Sequence, residues 1–81
     1  MRAIYVMVKC EMGHAYRVAK AAADSITELS ELHSRSGQYD LLAKFYLEPE
    51  QDTGLFVTER VQTLPGVKDT YTIITFNAFM E

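Results

Sequence analysis

The stretch SRSGQYDLLAKFYLE, Ser34 to Glu48, runs from a turn straight into a strand. Leu41, Ala43, Phe45 and Leu47 alternate with Leu42, Lys44 and Tyr46, the period of two that a β-strand imposes, so Asp40–Leu47 reads as a strand that Pro49 stops. Gly37 reaches backbone angles that other residues avoid, which suits a tight turn just ahead of that strand. The neighbours of this turn–strand unit decide the fold.

Upstream, Arg2 to Lys9 places Ile4, Val6 and Val8 on one face and Ala3, Tyr5 and Met7 on the other. Both faces are largely apolar, as in a central strand. EMGH breaks the run at Gly13, and from His14 to about Ser25 the residues Ala15, Val18, Ala19, Ala22 and Ile26 fall on one helical stripe. The segment up to Arg35 has two readings. Ile26, Leu29 and Leu32 continue the stripe as one long helix to His33, or TELSELHSR is a second strand. Thr27 is β-branched and SRSG is short enough to join two strands, and both points favour the strand. Downstream, Asp52 or Thr53 caps a second helix, Val57, Val61 and Leu64 share a face, and Pro65–Gly66 ends it. Val67 to Phe76, rich in β-branched and aromatic residues, is the last strand.

The order is β-α-β-β-α-β, an α+β, ferredoxin-like arrangement. Right-handed crossovers place both helices on one face of a four-stranded antiparallel sheet and leave the other face without cover. Because both faces of the first and third strands carry apolar or aromatic side chains, the chain is expected to dimerise through the uncovered face. Tyr5 and Phe45 are the candidate contact residues there; periodicity does not say which side of each strand points outward.

Composition bounds the function. The 81 residues form one domain, 1–81, and at 48% hydrophobic and 23% charged the chain has the make-up of a globular domain. A net charge of −3 with no cluster of Lys and Arg argues against direct DNA binding, which depends on neutralising phosphates. Cys10 is the only cysteine, so no intramolecular disulfide forms and no zinc spacing appears; a reducing cytoplasm is the expected compartment. The apolar run AIYVMV is far too short to span a membrane. No catalytic Ser-His-Asp set, phosphate-binding loop or dinucleotide fingerprint is present, and no cofactor or metal is expected.

SGQYDLLAKFYL, followed after one helix by VQTLPGVKDTYTIITF, resembles the effector-binding domain of the Lrp/AsnC (feast/famine) family of transcriptional regulators. That family has a G-x-[Y/F]-D segment entering the third strand, here Gly37, Tyr39 and Asp40, then L-P-G-V, here Leu64 to Val67, and Thr-rich residues opening the last strand, here Thr70 and Thr72. The resemblance spans essentially the whole chain. It implies homodimers that assemble further, often to octamers, and amino acids or related small metabolites bound between dimers. Full members also carry a helix-turn-helix domain; this chain starts at Met1 directly on the first strand, so it is expected to be a stand-alone effector domain that acts through a full-length relative.

A free amino acid is a zwitterion and needs an acceptor for its ammonium and donors for its carboxylate. Asp40 suits the first role, and backbone N–H groups from Gly37 through Gln38 to Tyr39 suit the second. Tyr39 offers a ring and a hydroxyl, and the resemblance adds Thr70 and Thr72 as hydroxyl partners with Ile73 and Ile74 as wall. Each residue also has a plain structural reading. Gly37 is a turn glycine, Asp40 bonds a nearby backbone N–H, Tyr39 packs with a wet tip, and the threonines are ordinary strand residues. The competing function is a small dimeric enzyme of the cofactor-free monooxygenase or isomerase kind, in which His14, His33, Tyr5 and Tyr46 supply acid–base or substrate contacts. His14 and His33 lie far apart in sequence, and Glu11 with His14 lacks a third metal ligand.

Overall fold

Alternation along the first strand becomes a two-sided sheet in the computed structural model, which describes residues 1–76 and 78. Strand β1 (Arg2–Cys10) buries Ile4, Val6, Val8 and Cys10 on one side and leaves Ala3, Tyr5, Met7 and Lys9 half-buried on the other. Helix α1 (Ala15–Ser25) buries Val18 and Ala22, and Ile26, already extended, donates its N–H to the Ala22 carbonyl at 3.0 Å. The helix therefore ends before the segment that the sequence left open.

That segment is strand β2 (Leu29–Ser34). Its alternation is poor for a physical reason. Leu29 and Leu32 are an odd number of residues apart and would face opposite sides of a regular strand, but the register against the next strand shifts between Leu29 and Glu31. The irregularity lets both leucines pack on the core. Strand β3 (Leu41–Leu47) buries Leu41, Ala43, Phe45 and Leu47. Helix α2 (Thr53–Phe56) starts where Asp52 accepts from the Leu55 N–H at 3.1 Å, and it widens into a π-helical turn over Val57–Val61, closed by Gln62 N–H to the Val57 carbonyl at 2.8 Å. The wider turn sets Phe56, Val57 and Val61 together on the core. Turns from Val61 through Leu64 to Val67 replace the helix expected to reach Pro65. Strand β4 is Val67–Ile74, two residues shorter than expected, and Phe76 beyond it is exposed.

The sheet order is β2-β3-β1-β4 with every neighbouring pair antiparallel. Residues paired across strands share a face, so the buried set of β1 and β3 lies under α1 and α2 as one core, with the Phe56 ring edge-on to Phe45 at 5.1 Å. The opposite face carries Tyr5 and Met7 of β1, Leu42, Lys44 and Tyr46 of β3, and Tyr71 and Ile73 of β4. One expectation needs correcting here. Phe45 does not belong to the uncovered face; it is 1% exposed beneath the helices, and of the two candidates only Tyr5 faces outward.

The Leu64–Val67 motif also acquires a cause. Gly66 has φ +94°, its carbonyl accepts from Glu11 N–H at 2.8 Å, and a Cβ there would meet His14 Cβ and Val18 Cγ2, each at 3.1 Å. A side chain here fits only if the start of α1 gives way by a few tenths of an ångström, and the positive φ adds strain of its own.

Candidate functional site

The β2–β3 turn is closed by Arg35 N–H to the Asp40 carbonyl at 3.0 Å, and it turns at Gly37, whose φ of +106° a side chain rarely adopts. Asp40 N–H donates to the Val8 carbonyl at 2.9 Å, so the turn's exit is tied to the end of β1. From this point Tyr39 and Asp40 diverge, at a bend that ends just before β3. The Tyr39 ring lies over the uncovered sheet face, stacked on Tyr71 with centroids 6.4 Å apart. Asp40 goes the other way, toward α1. Its Oδ2 accepts from Cys10 N–H at 2.8 Å, just past Val8↔Leu41, the last β1–β3 pair. Lys9 Nζ donates to the Gln38 carbonyl at 3.1 Å and holds the tip of the turn. The Cys10 thiol has its pKa raised, mainly by burial and further by the Asp40 charge beside it, so it stays protonated and unreactive.

Asp40 lines a groove of about 430 Å³ between α1 and the β2–β3 hairpin, with Ser34 and Arg35 alongside it. The rest of the lining is apolar: Leu32 and Leu41 from the hairpin, Ala15 and Ala19 from α1, and Tyr16 on the rim, 91% exposed. The volume falls in the range of roughly 300–1,000 Å³ common for small-molecule sites. Among the described residues the ion pairs are Lys20–Asp24, Glu31 with His33 and Lys44, and Glu28–Arg60, so the Arg35 guanidinium joins none. The second Asp40 oxygen, Oδ1, likewise has no hydrogen bond among them. Arg35 and Asp40 thus both line the groove without pairing with each other.

The other expected residues are placed differently. Thr70 and Thr72 pair with Val8 and Val6 and so lie on the helix side. Thr70 Oγ1 accepts from Gln62 Nε2 at 2.9 Å, in a separate shallow groove of about 290 Å³ beside the last turn of the second helix. Ile73 pairs with Tyr5 on the uncovered face, the face of Tyr39, and Ile74 is on the helix side, 54% exposed. The turn therefore brings Gly37, Gln38, Tyr39 and Asp40 together in the backbone but divides their side chains between two surfaces. Arg35 and Tyr16 were not anticipated. The signal for Arg35 lay in the hairpin: closing a turn at Gly37 sets Arg35 across from Asp40. Nothing in the sequence marked Tyr16, which occupies an ordinary helix position.

The residues named for an enzyme do not converge. His14 bonds the Met12 carbonyl through Nδ1 at 3.1 Å, while His33 lies beside Glu31 on the far edge of the sheet. Tyr5 and Tyr46 flank Lys44, whose ammonium is 5.0 Å from the Tyr46 ring and 5.8 Å from the Tyr5 ring. The Lys44 pKa is raised, first by its hydrogen bond with Tyr46, which keeps it charged on this face. A larger groove, about 670 Å³, lies at the opposite end of the sheet near Glu28, Tyr46 and Gln51. Glu28 is held there by Gln51 Nε2 at 2.9 Å and by Arg60, and its pKa is lowered, chiefly by the Gln51 hydrogen bond, so it is a firm carboxylate and not an acid. Among the described residues no three potential metal ligands gather, and no helix is long and apolar enough to cross a membrane.

Comparison with known proteins gives one family model, the Lrp/AsnC ligand binding domain, which matches residues 3–81. Among solved structures, TTHA0845 from Thermus thermophilus is 26% identical with a TM-score of 0.86, over 100% of both chains. FFRP-DM1 is 24% identical with a TM-score of 0.85, over 94% of this chain and 100% of its own. The transcriptional regulator NMB0573 from Neisseria meningitidis, solved as a complex with L-Met, is 15% identical with a TM-score of 0.80; 99% of this chain aligns to 53% of that one, about half its length. Curated proteins give no match.

Proposed function

The chain belongs to the Lrp/AsnC ligand-binding domain family, and from that premise we propose that it is a non-catalytic sensor of an amino acid or a closely related zwitterion. The observation that carries the reading is that Arg35 and Asp40 both line this groove, with no ion partner for the guanidinium and no hydrogen bond on Oδ1 among the described residues. Guanidinium binds carboxylate through two parallel hydrogen bonds, and a carboxylate gives ammonium a charge-assisted acceptor. The Neisseria regulator's complex with L-Met supports the same ligand class.

In this reading the ligand is closed in by a neighbouring subunit. Met12, 97% exposed, and Tyr16 at the groove rim offer it an apolar contact. The uncovered sheet face of Tyr5, Met7, Leu42, Tyr71 and Ile73 pairs two copies into a homodimer, and dimers assemble into a larger ring of the octamer type. Ligand binding then acts on transcription indirectly, in the cytoplasm, by shifting assembly or by mixed assembly with a full-length Lrp/AsnC regulator. Such a shift requires unequal affinity for the two assemblies. Tyr39 and Asp40 supply the route, because neighbouring residues of one turn touch the pairing face and the groove.

Native mass spectrometry with each of the twenty amino acids, beside calorimetry on Asp40→Asn, tests this. Asparagine keeps an acceptor for Cys10 N–H but removes the charge, and loss of a charged hydrogen bond should weaken binding by about 1.5–3 kcal/mol. Assemblies larger than a dimer that retain one amino acid per subunit are expected. A plain dimer that retains none, or an Asp40→Asn variant of unchanged affinity, would overturn the reading and return the small-enzyme alternative to the front.

A further inference from the structure

Three ionisable side chains share the β2 side of the uncovered sheet face, and one of them is an imidazole. The β2–β3 register pairs Glu31 with Lys44 and His33 with Leu42, so these side chains stand on the face that carries Tyr5 and Tyr46. Glu31 Oε1 lies 3.2 Å from His33 Nε2, and Glu31 Oε2 lies 3.8 Å from Lys44 Nζ. One carboxylate thus serves two bases. Among the described residues the other nearby charges are engaged elsewhere: Lys9 of β1 donates to the Gln38 carbonyl, and Arg35 and Asp40 line the groove on the helix side. Besides Lys44, β3 presents only Leu42 and Tyr46 to this face, and α1 and α2 pack on the other.

We propose that self-association through this face is controlled by pH, with His33 as the sensor: two copies pair while its imidazole is neutral and separate as it gains a proton. This rests on the pairing of copies read above. Four strands about 4.8 Å apart and about seven residues long span a face of roughly 20 by 23 Å. A stable interface buries about 800 Å² per partner, so pairing has to take in the whole face, β2 included. With His33 neutral, the Glu31 carboxylate and the Lys44 ammonium balance, and the cluster can be enclosed. Protonation sets a second cation on a carboxylate that Lys44 already matches, and enclosing the surplus charge is unfavourable. Twofold symmetry imposes this cost once in each copy. A separated copy therefore takes up the proton more readily than a paired one, so association weakens as pH falls.

Sedimentation equilibrium of the full chain at about pH 7.5 and about pH 5.5 reads this directly, since an imidazole changes charge between those values. The dimer dissociation constant should rise by at least about tenfold, toward a limit of about a hundredfold, a factor of about ten for each copy that must lose a proton to pair. His33→Gln should stay within about threefold over the same span. His14→Gln, which alters the imidazole bonded to the Met12 carbonyl, should respond as wild type does, with circular dichroism confirming the fold of both variants. Equal association of the wild type at both pH values, a folded His33→Gln that keeps the dependence, or a His14→Gln that loses it would overturn the sensor and leave the pairing in place. A wild type that is monomeric at about pH 7.5 would overturn the pairing, and the sensor with it. If His33→Gln does not fold, NMR titration of the His33 ring in dilute and concentrated wild type replaces it. The ring should take up its proton at lower pH in the concentrated sample, and one midpoint for both would overturn the proposal.

Discussion

Replacing Gly66 and Gly37 separately with alanine measures how far the two motif glycines serve packing and how far they serve only the turn. Both have positive φ, +94° and +106°, so each substitution carries a conformational cost of about 1–2 kcal/mol. Their surroundings differ. The new methyl at Gly66 would lie 3.1 Å from His14 Cβ and from Val18 Cγ2, and Val18 is 1% exposed in the core with nowhere to retreat. Overpacking of this kind adds about 1–3 kcal/mol. At Gly37 the nearest atom is Arg35 Nη2 at 3.3 Å, the tip of a long exposed side chain that swings aside. Gly66→Ala should then cost about 2–5 kcal/mol and Gly37→Ala only about 1–2. For a domain of this size, with a urea dependence near 1 kcal/mol per molar, the two unfolding midpoints should differ by about 1 M or more. Equilibrium urea unfolding followed by circular dichroism reads this directly. Coincident midpoints would refute the reasoning, because they would mean that the start of α1 gives way and that close approach is not why glycine stands in this motif.

Glu28 ties the start of β2 to Gln51 and Arg60, and its folded-state pKa is lowered, chiefly by the Gln51 hydrogen bond. A lowered carboxylate pKa contributes stability above the ordinary glutamate value of about 4.3, and that stability is lost as pH falls through the lower folded value. Glu28→Gln should therefore melt below wild type at pH 7, with the gap closing in acid; a gap that is the same at pH 7 and near pH 3 would count against the assignment. On the sheet, Tyr5→Glu should leave the fold intact by circular dichroism and reduce self-association in sedimentation velocity, while Phe45→Glu should abolish folding, since it puts a charge into the core beside Phe56. A folded Phe45→Glu, or a Tyr5→Glu that associates as wild type does, would reverse the assignment of the two faces.

Element order was legible because periodicity depends on local burial, and burial along β1, β3 and α1 is one-sided and strong. Where one-sidedness weakened, periodicity left two readings open for a definable reason. Leu29 and Leu32 fit a helical stripe as well as a strand until a register shift, which only the partner strand reveals, puts both on one face. The faces of β3 were equally ambiguous: Phe45 and Tyr46 are both aromatic neighbours, and only the position of Phe56 shows which is core. The second helix kept its buried residues but not its regular form, because a π turn alters which spacings share a face. The candidate site was half legible. Its turn announced itself through Gly37 and Asp40, which are local features. Arg35 was hidden by its ordinary appearance, and the α1 wall was hidden because Ala15 and Ala19 read as core residues. A groove between a helix and a hairpin is a property of packing, and no single stretch of sequence contains it.

The same turn explains why Tyr39 and Asp40 are adjacent. A residue that touches the pairing face and a residue that touches the groove can be neighbours here because Asp40 sits at a bend, outside the alternation of β3 that turns Leu42, Lys44 and Tyr46 away from the core. Asp40 N–H on the Val8 carbonyl ties that bend to the end of β1. A displacement of the backbone at Asp40 by a bound ammonium would move Tyr39 on Tyr71 in the same step, with no longer path required. The order tyrosine then aspartate, immediately before a buried strand, is therefore as much a part of the proposed sensor as either side chain.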